Sequence, residues 1–285
     1  MYTNDFEYYC AESTDEAIEL LTNHDGAELI AGSHGLLPRM RTGEEEPPVL
    51  VDINALDELS LIERADGELS IGALATHAEI SASEMIREDA PALSDAASEV
   101  GDVQVRNGGT IGGNLAHGDA RTDHPAAVLA LGGSLSVHGP DGERLINADD
   151  LFEGHFETAI SDHEIVTELR IPIDENTTST YLKRRNPVSG YPLVGVAVWL
   201  QTDSDSIENA RIAATGSLSH PTRLHSVEDE LNDTTIDEET VATAADRAAE
   251  SFDETDFRSD MRASPAYCSH LLSVYTERAL RTVLD

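Results

Sequence analysis

The amino-acid sequence predicts an α+β protein, and three features of the chain favour this class. Short apolar runs of strand length recur along the chain and are separated by turn residues. Helical patterns interrupt these runs, and the last third of the chain reads as strands followed by helices. With 285 residues and 40% hydrophobic content, the chain can bury a sizeable core divided among two or three domains.

Residues 1–55 predict a small α/β unit. Ser13 and Glu16 have the spacing of a capping box, which predicts a helix start. A strand predicted over residues 27–31 runs into Ala31-Gly32-Ser33-His34-Gly35-Leu36-Leu37-Pro38. A small-residue turn after a strand is where α/β folds bind phosphate, although a plain strand-exit turn is the alternative.

From residue 56 onward, strands and short helices alternate. Asp66-Gly67 and the segment Gly139-Pro140-Asp141-Gly142 each predict a hairpin turn between two strands. Residues 164–171 alternate between apolar and polar side chains and end at Pro172, a pattern typical of an edge strand.

Residues 106–125 contain two Gly-Gly pairs that are separated only by Thr110 and Ile111. Glycine allows positive φ and close approach to the backbone, so we expect a loop whose N–H groups form a concave anion site. Asn114 adds a side-chain donor, and Asp123 follows as an acceptor for a ribose hydroxyl or as the N-cap of the next helix. Phosphate donors followed by a sugar acceptor predict a dinucleotide site, and ordinary glycine turns are the alternative.

The last third of the chain predicts a compact α+β domain after a polar linker at residues 174–179. Its predicted strands cover residues 180–184, 193–201 and 211–215, with a turn at residues 203–206. Its predicted helices cover residues 226–231, 237–251 and 265–284.

The charge of the chain is strongly one-sided, with 18 basic against 55 acidic residues and a formal net charge of −37. A field of this sign repels nucleic acid and anionic membrane surfaces. Lys183 is the only lysine, and the acidic residues are spread along the whole chain. This pattern resembles the adaptation of halophilic cytoplasmic proteins, so we interpret the charge as a sign of habitat.

The sequence offers no metal ligands or catalytic residues of its own. Cys10 and Cys268 are the only cysteines, and two thiolates cannot supply the four ligands of an iron–sulfur cluster. No nucleophile triad or acid–base pair stands out. No apolar run approaches a membrane span, and the N-terminus lacks a basic segment followed by an apolar one, which predicts a soluble cytoplasmic protein.

The segment Thr110-Ile111-Gly112-Gly113-Asn114, continued by Leu115-Ala116-His117 and Asp123-His124-Pro125, resembles the FAD-binding subunit of molybdenum hydroxylases. This family includes the medium subunit of aerobic carbon monoxide dehydrogenase and the flavin domain of xanthine dehydrogenase. Four further blocks follow the family's order: residues 31–38, Val51-Asp52-Ile53, Tyr181-Leu182-Lys183-Arg184-Arg185 and residues 258–280. The resemblance therefore covers essentially the whole chain.

The chain departs from the family pattern at three places. The first glycine loop has Ser33 and Gly35 where the family has the glycine and the serine in exchanged positions. Arg121 and Thr122 replace small residues after the second glycine segment, where Arg121 either adds a pyrophosphate contact or faces solvent. Residues 187–192 replace a more usual acidic-aromatic segment.

The resemblance implies a two-subdomain FAD-binding fold of the PCMH type over residues 1–175, with subdomains of about 1–55 and 56–175. A C-terminal molybdenum-hydroxylase flavoprotein domain of a three-stranded antiparallel sheet plus helices then covers residues 178–285. The cofactor-binding residues implied by the resemblance are Leu29, Ile30, Ala31, Gly32, Ser33, His34, Gly35, Leu36, Thr110, Ile111, Gly112, Gly113, Asn114, Asp123, Val166, Lys183 and Tyr191.

The family assigns distinct roles to these positions. Backbone donors of the two glycine segments hold the FAD pyrophosphate, and Asp123 lies near the adenosine ribose. Val166 is an apolar flavin contact, Lys183 stabilises reduced flavin, and Tyr191 covers the ring. The alternatives are an N-cap role for Asp123, a core role for Val166, an ordinary surface lysine at Lys183 and packing beneath the following strand for Tyr191.

The resemblance implies an oxidoreductase subunit that carries FAD and transfers electrons. It would receive them from the [2Fe-2S] clusters of a small subunit, while a molybdopterin-containing large subunit oxidises the substrate. NAD, a quinone or oxygen would be the terminal acceptor, and the complex would be a dimer of heterotrimers. An FAD-less assembly or scaffold subunit and a self-sufficient flavin oxidoreductase are the alternatives.

Overall fold

The structure is a computed structural model that describes residues 2–203, 206–235, 237–259 and 263–284. Within these residues the strands form three main sheets and one short two-stranded pair, and helices pack against the sheets. This mixture of helices and strands confirms the α+β class. None of the helices in the described ranges combines the length and the apolar composition that crossing a membrane requires.

The first unit is a parallel three-stranded sheet with two helices. Its elements are β1 (Glu7–Cys10), α1 (Thr14–Asn23), β2 (Ala27–Ile30), α2 (Leu36–Thr42) and β3 (Val49–Asp52). Strand β3 lies between β1 and β2. The Ser13 hydroxyl accepts a hydrogen bond from the Glu16 N–H at 3.1 Å, which confirms the predicted start of α1. The first glycine loop follows β2, which is an edge strand of this sheet.

The second unit is an antiparallel five-stranded sheet covered by short helices. Its strands are β4 (Ile62–Ala65), β5 (Glu68–Gly72), β6 (Ser134–Gly139), β7 (Gly142–Asn147) and β10 (Ile165–Pro172), and β8 (Phe152–Gly154) pairs with β9 (Glu157–Thr158) outside it. Its helices are α3 (His77–Ala82), α4 (Glu84–Asp89), α5 (Pro91–Glu99), α6 (Val103–Gly108), α7 (Ile111–Ala116) and α8 (His124–Ala130). Both predicted hairpins form.

The prediction that the strand ending at Pro172 lies at an edge is wrong. Strand β10 is the central strand, between β5 and β6. The pairing of β10 with β6 ends at Arg170. Pro172 therefore lies beyond the last residue that pairs with β6, and the N–H that proline lacks removes no hydrogen bond to that strand. A proline at the end of a strand is therefore compatible with a central position.

The third unit is an antiparallel sheet followed by helices. Its elements are β11 (Thr177–Arg185), β12 (Pro192–Asp203), β13 (Ser206–Thr215), β14 (Thr222–Arg223), α9 (His225–Leu231), β15 (Thr234–Thr235), α10 (Glu238–Asp246) and α11 (Pro265–Leu284). The predicted linker is wrong in its second half, because β11 already begins at Thr177 and pairs with Gln201. The predicted turn at residues 203–206 and the predicted block at residues 258–280 each include residues outside the described ranges.

The third sheet joins two hydrophobic cores. Tyr181, Ala197 and Trp199 on one face belong to the core of the second unit. Val196 and Val198 on the other face pack with helices α9, α10 and α11. Because both faces are buried, strand β12 is a nearly continuous apolar run, whereas a half-exposed strand would alternate.

Candidate functional site

A cavity of about 1090 Å³ lies where the first and second units meet, and the loop between β11 and β12 also lines it. A volume of this size suits a large organic ligand. Most of the residues predicted from the sequence line this cavity: Leu29, Ala31, Gly32, Ser33, His34, Gly35, Leu36, Thr110, Gly112, Gly113, Asn114, Asp123, Val166 and Tyr191. Ile30, Ile111 and Lys183 do not line it.

The first glycine loop presents unpaired backbone donors to the cavity. Among the described residues, the N–H groups of Gly32, Ser33, His34 and Gly35 have no protein acceptor. Ser33 adopts a left-handed backbone with φ of 61°, a conformation that favours glycine. The exchange in this loop therefore places a serine where the backbone suits glycine, and the Ser33 hydroxyl donates to the Ala31 carbonyl at 2.9 Å.

The second glycine segment differs from the exposed loop that we expected. Its residues form the end of α6 and the whole of α7, and the Thr110 hydroxyl caps α7 by accepting from the Gly113 N–H. The N–H groups of Ile111 and Gly112 donate to the carbonyls of Ala75 and Ala73 at 3.0 and 2.8 Å. These two donors are therefore occupied within the protein, and they do not contribute to the concave anion site that we expected at this segment.

The glycines of the second segment lie close against neighbouring groups. A Cβ at Gly108 would lie 2.7 Å from His34 Nε2, and a Cβ at Gly109 would lie 2.7 Å from His77 Nε2. A Cβ at Gly112 would lie 2.5 Å from the Cβ of Ala73. None of the three glycines has positive φ. The Gly-Gly pairs thus allow side chains and strands to lie directly against the backbone.

The Asn114 side chain of this segment is available to a ligand. Its side-chain oxygen is buried and has no hydrogen-bond partner among the described residues, although the residue lines the cavity. A buried carbonyl without a donor is unfavourable, so a ligand that brings a donor would stabilise it.

Four histidines line the cavity, namely His34, His77, His117 and His163. Burial, together with the nearby charges of His34 and Arg106, lowers the pKa of His77 to about 4. Burial also lowers the pKa of His117. His77 and His117 are therefore neutral near pH 7, and each can provide a hydrogen-bond donor that carries no charge.

Asp123 forms a buried ion pair and does not cap α8. Its side chain makes no hydrogen bond to the helix, so the N-cap alternative is wrong. Its Oδ1 atom accepts from Lys183 Nζ at 2.9 Å and from the Tyr181 hydroxyl at 2.7 Å. Burial raises the pKa of Asp123, and the charge of Lys183 opposes that rise. The Lys183 side chain is 2% exposed, and the residue does not line the cavity.

Tyr191 lies at the mouth of the cavity and is 40% exposed. The guanidinium of Arg121 lies 5.3 Å from its ring centre, a cation–π contact. Arg121 also donates twice to the Asp119 carboxylate at 2.9 Å. Arg121 is thus engaged with Asp119 and Tyr191, and it does not line the cavity.

Among the residues of the cavity wall that sequence reasoning missed are Arg39 and Phe156. Arg39 lies 4.9 Å from the ring centre of Phe156, whose backbone has φ of 63°. The His117 and His155 rings lie 4.9 and 4.0 Å from the same aromatic ring. Arg39 directly follows the first glycine loop, which is a usable signal, but Phe156 has no motif that distinguishes it from an ordinary loop residue.

Acidic side chains also line the cavity, namely Glu28, Glu45, Glu153, Glu157, Asp162 and Glu164. Burial, followed by the charges of Glu45 and Asp162, raises the pKa of Glu28. Arg39 is partly buried between these groups and donates to Glu45 at 2.5 Å. The wall near Glu28 is therefore negative.

Comparisons with known families cover almost the whole chain. The model of the family described as FAD binding domain in molybdopterin dehydrogenase matches residues 4–174. The model of the family described as CO dehydrogenase flavoprotein C-terminal domain matches residues 179–283.

Individual relatives agree with these matches. The glyceraldehyde dehydrogenase medium chain of Sulfolobus acidocaldarius is 29% identical, with 99% of this chain and 100% of the relative covered. The carbon monoxide dehydrogenase medium chain of Hydrogenophaga pseudoflava is 32% identical, with 96% of each chain covered. A solved structure of carbon monoxide dehydrogenase from Hydrogenophaga pseudoflava, which lacks the Mo-pyranopterin moiety, has a TM-score of 0.95 at 32% identity, with 100% of this chain and 99% of that chain covered.

Gly32→Ala tests the backbone contact that closes the cavity. The added Cβ would lie 2.1 Å from the Gly108 carbonyl oxygen, so we expect a loss of about 1–3 kcal/mol in the free energy of unfolding, measured by urea denaturation. Gly35→Ala is the matched control, because its nearest neighbour is the His117 ring at 3.1 Å. Equal losses in the two variants would contradict the contact.

His77→Gln tests the buried neutral imidazole. Because the pKa of His77 is about 4 in the folded state and ordinary when unfolded, the unfolded chain binds more protons at acidic pH. The folded state therefore loses stability as the pH falls through this range, by about 3 kcal/mol between pH ~6.5 and pH ~4. We expect the variant to lack this part of the loss when urea unfolding is followed across that range, with the exposed His270→Gln as control. An unchanged pH dependence would contradict the assignment.

Proposed function

The chain belongs to the family of FAD-binding subunits of molybdopterin dehydrogenases, of the carbon monoxide dehydrogenase medium-chain type, and we propose that within such a complex it relays electrons from a partner subunit to a terminal acceptor. The predicted family, the FAD cofactor and the oxidoreductase class are confirmed by this membership.

The residues of the cavity fit FAD. Its pyrophosphate is an anion that needs hydrogen-bond donors, and the first glycine loop presents four unpaired N–H groups from Gly32 to Gly35. The neutral rings of His77 and His117 can add donors in a wall that otherwise carries many carboxylates. The unpaired oxygen of Asn114 suits a hydroxyl or N–H of the cofactor.

We assign the remaining contacts with FAD from the atoms and surfaces that each side chain does not use within the protein. Asp123 accepts both of its hydrogen bonds through Oδ1, which leaves Oδ2 as an acceptor for a ribose hydroxyl. Val166 in β10 and Tyr191 in the loop before β12 provide apolar and aromatic wall. FAD supplies reversible electron acceptance, while this chain's residues bind it, orient it and limit its exposure to water.

The substrate and the other redox centres lie on other chains in this proposal. Relatives are named as a medium chain of a glyceraldehyde dehydrogenase and a medium chain of carbon monoxide dehydrogenase, so similar chains serve different substrates. We propose a molybdopterin-containing large subunit, a [2Fe-2S] small subunit that donates electrons, and assembly as a dimer of heterotrimers. NAD, a quinone or oxygen would accept the electrons.

The visible absorption spectrum of the chain purified in high-salt buffer tests the proposal. We expect flavin bands, FAD as the released cofactor by chromatography, and electron transfer from NADH to an artificial dye without hydroxylation of any organic substrate. The matching family and the fit of the first loop to an anion carry this expectation. A colourless chain that takes up no added FAD would favour a scaffold role, and hydroxylation by the isolated chain would favour a self-sufficient enzyme.

Asn114→Ala tests whether the unpaired side-chain oxygen of Asn114 accepts a hydrogen bond from FAD. Loss of one hydrogen bond to the cofactor should weaken FAD binding about 3- to 10-fold, measured by quenching of flavin fluorescence on titration. Asn107→Ala is the matched control, because Asn107 is exposed on α6 and does not line the cavity. Equal affinities of Asn114→Ala and the wild-type chain would contradict this contact.

A further inference from the structure

Lys183 is a buried cation whose hydrogen-bonding capacity is already filled. Its ammonium donates to the Asp123 carboxylate at 2.9 Å, to the Glu99 carbonyl at 2.6 Å and to the Gly190 carbonyl at 3.1 Å. An ammonium has three N–H donors, so none remains for a ligand. Together with its 2% exposure, this arrangement separates Lys183 from the cavity that it was predicted to serve directly.

The three acceptors belong to three separate segments. Glu99 is the last residue of α5, Asp123 immediately precedes α8, and Gly190 lies in the loop between β11 and β12. Asp123 also accepts from the Tyr181 hydroxyl, two residues before Lys183 on the same strand. The lysine therefore connects the third sheet, two helices of the second unit and one loop through a single nitrogen.

The loop held by Lys183 carries the aromatic residue at the cavity mouth. It closes on itself, because the Asn186 N–H donates to the Tyr191 carbonyl at 2.8 Å and the Gly190 N–H donates to the Asn186 carbonyl at 3.0 Å. Gly190 has φ of 79°, a conformation that favours glycine and turns its carbonyl inward to Lys183. Ser189, Gly190 and Tyr191 all line the cavity.

We propose that Lys183 is a positioning residue, which holds the loop of residues 186–191 through the Gly190 carbonyl and so keeps Tyr191 over the cofactor. It does not contact the flavin itself. The inference rests on the proposed function, because the ligand beneath Tyr191 is FAD. Its consequence is that Lys183 controls how long FAD remains bound, and that this control passes through Tyr191.

The dissociation rate of FAD in a double-mutant cycle tests this inference. We expect Lys183→Met to release FAD about tenfold faster than the wild-type chain, since a hydrogen bond to a charged group is lost. In a Tyr191→Ala chain, where the covering ring is already absent, Gly190→Ala disturbs the loop but keeps the Lys183–Asp123 pair, so it should add no further increase. Arg184→Met is the matched control, because Arg184 is the exposed cation at the next position of β11.

Gly190→Ala tests the same loop contact and leaves the buried Lys183–Asp123 ion pair in place. An alanine is strained at φ of 79°, so the carbonyl should move away from Lys183 and FAD should again leave faster. Trypsin cleavage after Arg185 in the FAD-free chain should also accelerate in Gly190→Ala and in Lys183→Met, since both release the loop. Because Gly190→Ala keeps both buried charges, it remains informative where Lys183→Met fails to fold.

The possible outcomes separate the two proposals. Additive effects of Gly190→Ala and Tyr191→Ala on FAD release would overturn the positioning role. A wild-type chain that binds no FAD contradicts the proposed function, whereas a wild-type chain that binds FAD with a release rate unaffected by Lys183→Met contradicts this inference alone.

Discussion

The direct contact between the backbones of Gly32 and Gly108 is the constraint on which the cavity depends. A Cβ at Gly32 would lie 2.1 Å from the Gly108 carbonyl oxygen, so the first glycine loop rests on the end of α6 without any side chain between them. This contact brings the unpaired N–H groups of the first unit and Asn114 of the second unit to one cavity. A bulkier residue at Gly32 would separate the two units and, with them, the two sets of polar groups.

Few cationic side chains line the cavity. The chain carries a formal net charge of −37, and several carboxylates line the cavity. Unpaired backbone N–H groups and the neutral rings of His77 and His117 provide donors for an anion without requiring a positive side chain. The one lysine of the chain is used instead to balance the buried Asp123 carboxylate and to hold three segments together.

Local patterns in the sequence predicted local structure well and long-range placement less well. The Ser13 cap and both hairpins form where turn and cap residues indicated them. The edge position inferred from Pro172 failed, because strand order depends on pairing partners far away in the chain. Phe156 was not predicted because its position in the wall depends on contacts with His117 and Arg39. No local motif indicates these contacts.

By itself, the sequence determined the α+β class and the order of most elements through periodicity and turn residues. The resemblance of its ordered motifs to a known family implied that family and its cofactor. The tertiary structure decided which polar groups are available to a ligand. The N–H groups of Ile111 and Gly112 are taken by the carbonyls of Ala75 and Ala73, and the three donors of Lys183 are filled within the protein. The physical reason is that a donor is free only if no acceptor reaches it, and those acceptors come from segments distant in sequence.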